Sequence, residues 1–213
     1  MQRLIRFLFF LLIVKPLLLI VLGINIRYRE RLPNSGPAII CANHNSHLDT
    51  LVLITLFSCK IFNSIRPVAA RDYFCCSPFL SWFSKYIMQI IPLDRKFGTY
   101  HADPFKEISE SLDNNEVVII YPEGSRGEPE RLSQFKNGIY HLAKKHPQVP
   151  IVPIFMHGLG KALPRNEWLL VPFFCDVFVG EILHFVEDRK DFMHTLEESI
   201  QRLGAEGQFK EWY

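Results

Sequence analysis

The chain lacks the charge imbalance that is typical of nucleic-acid-binding proteins. Its 24 Lys and Arg residues are nearly matched by 22 Asp and Glu residues, which leaves a formal net charge of +2. No long basic run occurs after the N-terminus. A partner that is recognised through its nucleic-acid phosphates is therefore not indicated.

Cysteine pairs of the C-x-x-C type are also absent. The chain has five cysteines, and this odd number offers no disulfide framework. They are Cys41, Cys59, Cys75, Cys76 and Cys175. Reduced thiols are typical of proteins that face the cytoplasm, so we expect a cytoplasm-facing protein.

Internal repeats, low-complexity tracts and linkers are missing, so one folded domain behind a distinct N-terminal segment is the simplest organisation. The chain has 213 residues, 48% of them apolar, which is enough for one good core. An apolar run extends from Phe7 to Ile24 and is broken only by Lys15. As a helix this run would measure about 27 Å, close to the ~30 Å of a bilayer core.

The same N-terminal run is predicted to attach the protein to a membrane. Lys15-Pro16 would kink a helix at its centre, and positive residues flank the run on both sides. No small-x-small cleavage site follows, so a removed signal peptide is not indicated. We expect residues 1–31 to form a membrane-anchoring helix or hairpin that spans the bilayer or lies in one leaflet, and residues 32–213 to form the folded domain.

Apolar runs alternate with helical patterns after this segment. Strands are predicted at Ala38–Ala42, Pro67–Ala70, Gln89–Leu93, Glu116–Tyr121, Ile151–Phe155 and Phe173–Gly180. Helices are predicted at Leu48–Cys59, Pro78–Tyr86, Tyr100–Asn114, Leu132–Lys145 and Arg189–Leu203. This alternation is typical of an α/β domain whose largely parallel sheet is flanked by helices.

A histidine and a carboxylate stand five residues apart directly after the first of these strands. His44 falls in the turn that leaves the strand, and Asp49 falls in the first turn of the following helix, where Ser46 is suited to be the N-cap. Only this placement lets the two side chains converge, because five residues on one continuous helix would separate them by about 140°. Such a pair is suited to general-base catalysis, while the alternative is a simple Ser-x-x-Asp capping signal.

Charged side chains follow two other predicted strands. Glu123, Gly124, Ser125 and Arg126 follow Tyr121-Pro122, and Lys136 comes shortly afterwards. Arginine suits bidentate phosphate recognition, and Glu123 could bind a substrate hydroxyl or orient the arginine. Arg95, which follows Leu93-Asp94, is a second candidate phosphate ligand. The alternative in each case is a surface turn with a local ion pair. Because ligands of parallel sheets bind beyond the carboxyl ends of the strands, we expect these clusters to converge.

Three other signals are weaker. Gly124-Ser125-Arg126-Gly127 lacks the leading glycine of a nucleophile elbow, since Glu123 occupies that position. His44, His47 and Asp49 could ligate a metal ion, but no second ligand cluster accompanies them. His157 follows a strand, and we interpret it as a structural histidine.

These blocks together resemble the glycerolipid acyltransferases, and most closely the bacterial 1-acylglycerol-3-phosphate (lysophosphatidate) acyltransferases. The resemblance rests on Asn43-His44-x-x-x-x-Asp49, the strand that ends at Arg95, Pro122-Glu123-Gly124-Ser125-Arg126, and Val149-Pro150-x-Val152-Pro153. It covers about residues 37 to 154.

The resemblance implies transfer of a fatty acyl group from acyl-CoA or acyl-carrier protein to the free hydroxyl of a lysophospholipid. His44 would be the general base and Asp49 would hold its ring. Arg95, Glu123, Gly124, Ser125 and Arg126, with Lys136 nearby, would bind the glycerol-phosphate head. No metal and no cofactor besides the acyl donor is expected. The enzyme would lie at the cytoplasmic face of the inner membrane, where the lipid acceptor meets the cytosolic donor.

Other functions remain open from the sequence. Within the acyltransferases, the acceptor could be glycerol-3-phosphate or another lysolipid, such as lyso-ornithine lipid. Outside them, a metal-dependent hydrolase built on His44, His47 and Asp49, or a catalytically silent lipid-binding protein, would use the same residues differently.

Overall fold

A single mixed sheet forms the centre of the protein. The computed structural model describes residues 2–71, 77–94, 103–128, 130–164, 167 and 169–209. In these residues, seven strands form a sheet in the order β1-β7-β6-β2-β5-β3-β4. The strands are β1 (Leu22–Arg27), β2 (Ala38–Ala42), β3 (Ile65–Ala70), β4 (Ile91–Leu93), β5 (Val117–Ile120), β6 (Ile151–His157) and β7 (Phe173–Val179).

The five strands β6, β2, β5, β3 and β4 are mutually parallel, as predicted. β7 is antiparallel to β6, and β1 is parallel to β7. β1 and β7 therefore run in the direction opposite to that of the other five strands. The carboxyl ends of the five parallel strands therefore lie along one edge of the sheet, and their amino ends lie along the other edge. The α/β architecture with a largely parallel sheet is confirmed.

Helices cover both faces of this sheet. They are α1 (Gln2–Phe9), α2 (Lys15–Ile20), α3 (Leu48–Leu56), α4 (Pro78–Phe83), α5 (Lys106–Asp113), α6 (Gly138–Lys145), α7 (Leu159–Ala162) and α8 (Arg189–Glu206), and π-helical segments lie at Phe10–Val14 and Ser84–Met88. Side chains alternate across each strand, so Ile40 of β2 joins the core under α3, whereas Ile39 joins the core under α5, α6 and α8.

The N-terminal apolar run, predicted to be a membrane-anchoring helix or hairpin, is helical only in its first part and ends in a strand. α1, a π-helical segment and α2 follow one another up to Ile20, and residues 22–27 then form the edge strand β1. Within the described part of the chain, no helix combines the length and the apolar character that crossing a bilayer requires. Arg6, Phe10, Val14 and Leu18 are buried at a spacing of four residues, which is the spacing of one helix face.

A further element, helix α6, departs from its predicted bounds. Helix α6 begins at Gly138 and not at Leu132, because residues 132–136 have no regular secondary structure and Asn137 lies in a turn. The backbone N–H of Ser133 donates to the Glu123 carboxylate at 3.0 Å, and the N–H of Lys136 donates to the Pro122 carbonyl at 2.8 Å. These tertiary hydrogen bonds replace the helical ones that the local sequence favours.

Candidate active site

The predicted site residues in the described part of the chain follow the carboxyl ends of neighbouring strands. His44 follows β2 in the centre of the sheet, and Glu123 follows the adjacent β5. His44 and Glu123 are in direct contact, because the His44 backbone N–H donates to Glu123 Oε1 at 2.8 Å. The expected convergence of the first and third sequence blocks is therefore observed. Arg95 lies outside the described residues, so its predicted role stays a prediction.

His44 and Asp49 form a hydrogen-bonded pair. His44 Nδ1 lies 2.9 Å from Asp49 Oδ2, and the side chains are 18% and 1% exposed, respectively. His44 lies in the loop and Asp49 in the first turn of α3, which is the placement that the spacing required. A carboxylate accepts hydrogen bonds only, so Nδ1 carries the proton and Nε2 is left as the proton acceptor.

The backbone orients Asp49 for this contact. Asp49 Oδ2 also accepts the N–H groups of Asn45 at 2.7 Å and Ser46 at 2.9 Å. The prediction of Ser46 as the N-cap needs correction, because α3 begins at Leu48 and the reaching side chain is Asp49 itself. The Ser46 hydroxyl accepts the Leu48 N–H at 3.3 Å and donates to the Leu163 carbonyl at 2.9 Å. Asp49 thus both closes the helix start and holds the His44 ring.

An aromatic ring that the sequence analysis did not identify supports His44 from a second direction. The rings of His44 and Tyr121 are stacked, with centroids 4.0 Å apart and an interplanar angle of 15°. The Tyr121 hydroxyl is hydrogen-bonded to Thr50 Oγ1 at 2.8 Å. Two adjacent residues of α3 therefore fix the His44 imidazole. Asp49 binds its Nδ1 edge, and Thr50 anchors the Tyr121 ring that stacks on its face.

Glu123 joins two loops and is not exposed to a substrate. It is 2% exposed, and its two oxygens accept the backbone N–H groups of His44 and Ser133. Burial raises the pKa of Glu123 above its ordinary value, against these hydrogen bonds. Gly127 N–H also donates to the His44 carbonyl at 2.9 Å. The geometry favours a role in positioning His44 over the predicted contact with substrate.

The other predicted ligand residues surround the same turn. Gly124 has a φ of +71°, and a side chain there would meet Lys136 Nζ at 2.9 Å. Lys136 and Ser125 are exposed, and Arg126 is half-buried. Partial desolvation, followed by the nearby charge of Arg126, lowers the pKa of His47 to about 4. Arg126 thus lies close to the loop that carries His44, where a cation can meet an anionic ligand.

Arg71 is a further cation at this edge, and the sequence analysis does not identify it. Arg71 directly follows β3, and its guanidinium contacts Asp94 at 2.9 Å and Glu107 at 3.2 Å. Its position directly after the predicted strand Pro67–Ala70 is the signal that could have identified it.

Another histidine and carboxylate pair lies at the carboxyl end of β6, the strand beside β2. His157 Nε2 lies 3.3 Å from Glu130 Oε2, and the His157 ring stacks on Phe209 with centroids 3.6 Å apart. Burial lowers the pKa of His157 to about 4 and raises the pKa of Glu130, so burial favours the neutral form of each. The contacts agree with the prediction of a structural histidine.

The described residues contain no group of three or more His, Cys, Asp and Glu side chains that could hold a metal ion. The expectation that no metal is needed therefore stays a prediction, which a chelator experiment can test.

Comparison with known proteins identifies relatives of this chain. A model of the family described as Acyltransferase matches residues 23–157. The chain is 34% identical over 145 residues to the chloroplastic 1-acyl-sn-glycerol-3-phosphate acyltransferase LPAT1 of Arabidopsis thaliana, a match that covers 68% of this chain and 38% of that protein. It is 27% identical over 168 residues to the 1-acyl-sn-glycerol-3-phosphate acyltransferase of Pseudomonas aeruginosa, covering 78% and 62%, respectively.

A solved structure shares the fold. The crystal structure of the 1-acyl-sn-glycerophosphate (LPA) acyltransferase PlsC from Thermotoga maritima superimposes with a TM-score of 0.75 at 19% identity, covering 92% of this chain and 78% of that chain. The chain spans 38% to 62% of the length of the two curated relatives described above.

Proposed function

The chain belongs to the acyltransferase family, and from this premise we propose that it transfers a fatty acyl group from acyl-CoA or acyl-carrier protein to the free hydroxyl of 1-acylglycerol-3-phosphate, giving phosphatidic acid. The observation that carries the proposal is the 2.9 Å contact between His44 Nδ1 and Asp49 Oδ2 at the carboxyl edge of the sheet. The relatives described above carry the name of this activity.

In the proposed reaction His44 Nε2 takes the proton from the acceptor hydroxyl. The oxygen attacks the thioester carbonyl, the carbon–sulfur bond breaks, and the thiolate leaves with the proton that the imidazolium returns. Asp49 keeps Nδ1 protonated and stabilises the imidazolium, as a buried carboxylate does behind a general-base histidine. Tyr121 and Glu123 hold the ring and its backbone in place.

Arg126 and Lys136 are proposed to bind the phosphate of the acceptor, with the Gly124-Ser125 backbone beside them and Arg95 as a further ligand. The positive φ of Gly124 and the Lys136 side chain that covers it support this assignment. Arginine is suited to the task because its planar guanidinium can donate two parallel hydrogen bonds to a phosphate.

The protein is further proposed to work at the cytoplasmic face of a membrane, where its lipid acceptor lies. The N-terminal helical segment supports this, because one of its faces packs on the sheet while Leu4, Leu8, Leu12 and Leu19 are exposed. A helix of this kind lies in the interface of one leaflet, with its apolar side towards the acyl chains.

A panel of acceptors assayed with both donor types tests the function. The purified protein should release thiol from acyl-CoA or acyl-carrier protein most efficiently with 1-acylglycerol-3-phosphate, and His44→Ala should lower kcat by about 10²- to 10⁴-fold while the protein stays folded. In the same panel, Arg126→Ala should raise KM for the acceptor far more than KM for the donor.

Several outcomes of this panel, run with and without a chelator, would contradict the proposal. Preference for glycerol-3-phosphate or another lysolipid would reassign the acceptor. Inhibition by a chelator would favour the metal-dependent hydrolase. Thiol release with none of the acceptors would favour a silent lipid-binding protein.

A further inference from the structure

A short aromatic helix lies antiparallel to the N-terminal helix on the same side of the sheet. The rings of Phe83 in α4 and Phe9 in α1 are 5.4 Å apart in an edge-to-face arrangement. Towards the start of α1, the Arg6 guanidinium donates to the Gln89 side chain, which follows the π-helical segment after α4. Phe9 lies beside Phe83, whereas the earlier residue Arg6 lies beside the later residue Gln89. The two helices therefore run in opposite directions.

Both helices expose large apolar side chains. In α4, Phe79 is 73% exposed and Trp82 is 45% exposed, whereas large aromatic side chains are usually mostly buried. Their rings stack on one another at 6.3 Å, and Trp82 lies 6.2 Å from Tyr86. In α1 and the segment after it, Leu4 is 60% exposed and Leu12 is 66% exposed. Clusters of exposed apolar side chains mark a contact with another molecule or with a membrane.

The two segments that carry these side chains contain only basic charged residues. Residues 2–20 and 77–88 contain no Asp or Glu, whereas they contain Arg3, Lys15 and Lys85, all exposed. Lys85 Nζ lies 5.4 Å from the centre of the Tyr86 ring. Tryptophan and tyrosine beside lysine are typical of the boundary between headgroups and acyl chains, and cations there are attracted to anionic lipids.

We propose that α4 is a second membrane-contacting element, which inserts Phe79 and Trp82 into the headgroup boundary of a bilayer that contains anionic phospholipid, next to the N-terminal helix. This inference rests on the membrane association proposed above and adds the second point of contact. Two antiparallel helices in contact with the surface fix how the sheet is turned relative to the bilayer, which one helix alone does not do.

Vesicle binding by the full chain tests this inference. The double variant Phe79→Ser/Trp82→Ser is compared with the matched control Ile182→Ser/Val186→Ser, whose side chains are 49% and 45% exposed in the loop before α8. Sedimentation with phosphatidylcholine vesicles containing phosphatidylglycerol measures the partition coefficient. The α4 variant should bind about tenfold more weakly, whereas the control should bind like the unmodified protein.

Activity in detergent micelles separates this inference from the proposed function. The α4 variant should retain acyl transfer to micellar acceptor, because its changed residues lie outside the catalytic loop. Equal vesicle binding by the α4 variant and the unmodified protein would overturn the inference. If the unmodified protein transfers no acyl group and yet binds vesicles through Phe79 and Trp82, the inference holds and the proposed function fails.

A second measurement keeps the test decisive if the double variant does not fold. Bromine-labelled lipids should quench the fluorescence of the unmodified protein more than that of Trp82→Phe, which keeps an aromatic ring and shares Trp168 and Trp212. Identical quenching would overturn the inference.

A change from dimer to monomer in the double variant, with vesicle binding unaltered, would instead show that a second copy of the chain covers this surface.

Discussion

At the scale of single residues, two consecutive side chains of α3 determine the geometry of His44. Asp49 contacts Nδ1 directly, and Thr50 anchors the Tyr121 ring that is stacked against the imidazole. The sequence predicts the first contact, because five residues separate its partners. It does not predict the second, because Tyr121 lies 71 residues after Thr50 and reaches it only through the pairing of β2 with β5.

The stacked ring should matter more than its hydroxyl. Tyr121→Phe keeps the ring and should leave kcat within about threefold, whereas Tyr121→Leu removes the stacking surface and should lower kcat about 10- to 100-fold, as expected when a catalytic group is displaced by about 1 Å. KM for both substrates should change little. Steady-state kinetics by thiol release measure these effects, and Thr50→Val is a control that removes only the hydroxyl contact. Equal losses in the Phe and Leu variants would contradict the role of the ring.

Glu123 shows why a charged loop is hard to interpret from sequence. A carboxylate in a Pro-Glu-Gly turn is equally suited to bind a ligand or to accept backbone N–H groups. Its partner His44 is 79 residues away, so only the folded sheet reveals the contact. A single charged residue predicts that a site exists, whereas its role depends on neighbours that the fold supplies.

At the scale of secondary structure, the sequence predicts the buried strands well but does not predict the edge strand β1. β2 and β6 are continuous apolar runs bounded by polar residues, so their positions follow from composition. β1 belongs to a longer apolar run in which helix and strand cannot be told apart by periodicity. Pairing with β7 decides its conformation, from Leu22 opposite Phe173 to Arg27 opposite Phe178.

The side chain of Asn43 extends the pairing of β2 with β6 into the loop that carries His44. Its side-chain amide donates to the Met156 carbonyl at 2.8 Å and accepts the Met156 N–H at 2.7 Å, beyond the last backbone pair, Ala42 and Ile154. The side chain thus behaves like a further strand residue. It ties the residue before His44 to the end of a central strand.

Removing this amide should loosen the loop. Asn43→Ala leaves two buried backbone groups of Met156 unpaired and should lower the free energy of unfolding by about 2–4 kcal/mol, together with kcat. Asn43→Asp should be at least as harmful, because a carboxylate faces the Met156 carbonyl. Urea unfolding and acyl-transfer kinetics measure both effects. The exposed Asn25, which contacts Asp176 at 2.8 Å, provides the control, since Asn25→Ala should stay within about 0.5 kcal/mol. A similar loss in both asparagine-to-alanine variants would contradict this role.

At the scale of the whole molecule, the two edges of the sheet carry different polar groups. The carboxyl edge holds His44, Asp49 and the Gly124-Ser125-Arg126 turn that is proposed to bind phosphate. At the amino edge, Arg66 contacts Glu116 and Gln89, and Gln89 also accepts from the buried Arg6. This second cluster connects the N-terminal helix to the sheet and to the segment after α4, so both proposed membrane contacts are attached to the catalytic domain at the edge opposite the chemistry.

Arg6 should specify how the N-terminal helix docks while lowering stability. The side chain is fully buried, its Nε lacks a hydrogen-bond partner, and its charge lies 4.7 Å from the Phe62 ring centre. Burial, followed by the charge of Arg66, lowers the pKa of Arg6 to about 9. A lowered pKa in a basic group means that the folded state disfavours the charged form, which is still the form present at neutral pH. The charge therefore opposes folding there, and this penalty disappears only at a pH above the ordinary arginine value.

Replacing Arg6 by an apolar side chain of similar length should therefore be tolerated. Arg6→Met removes the buried charge and fills the space, so the free energy of unfolding should stay equal or rise by about 1–4 kcal/mol. Arg6→Ala removes the charge but leaves a cavity between Phe10 and Phe62, and should lower the free energy of unfolding by about 2–5 kcal/mol. Urea unfolding at neutral pH measures the difference, with the exposed Arg3→Met as a control that should change little. If the Met variant is destabilised as much as the Ala variant, the hydrogen bonds of Arg6 outweigh the cost of burying its charge, and the N-terminal helix depends on that cation for its docking.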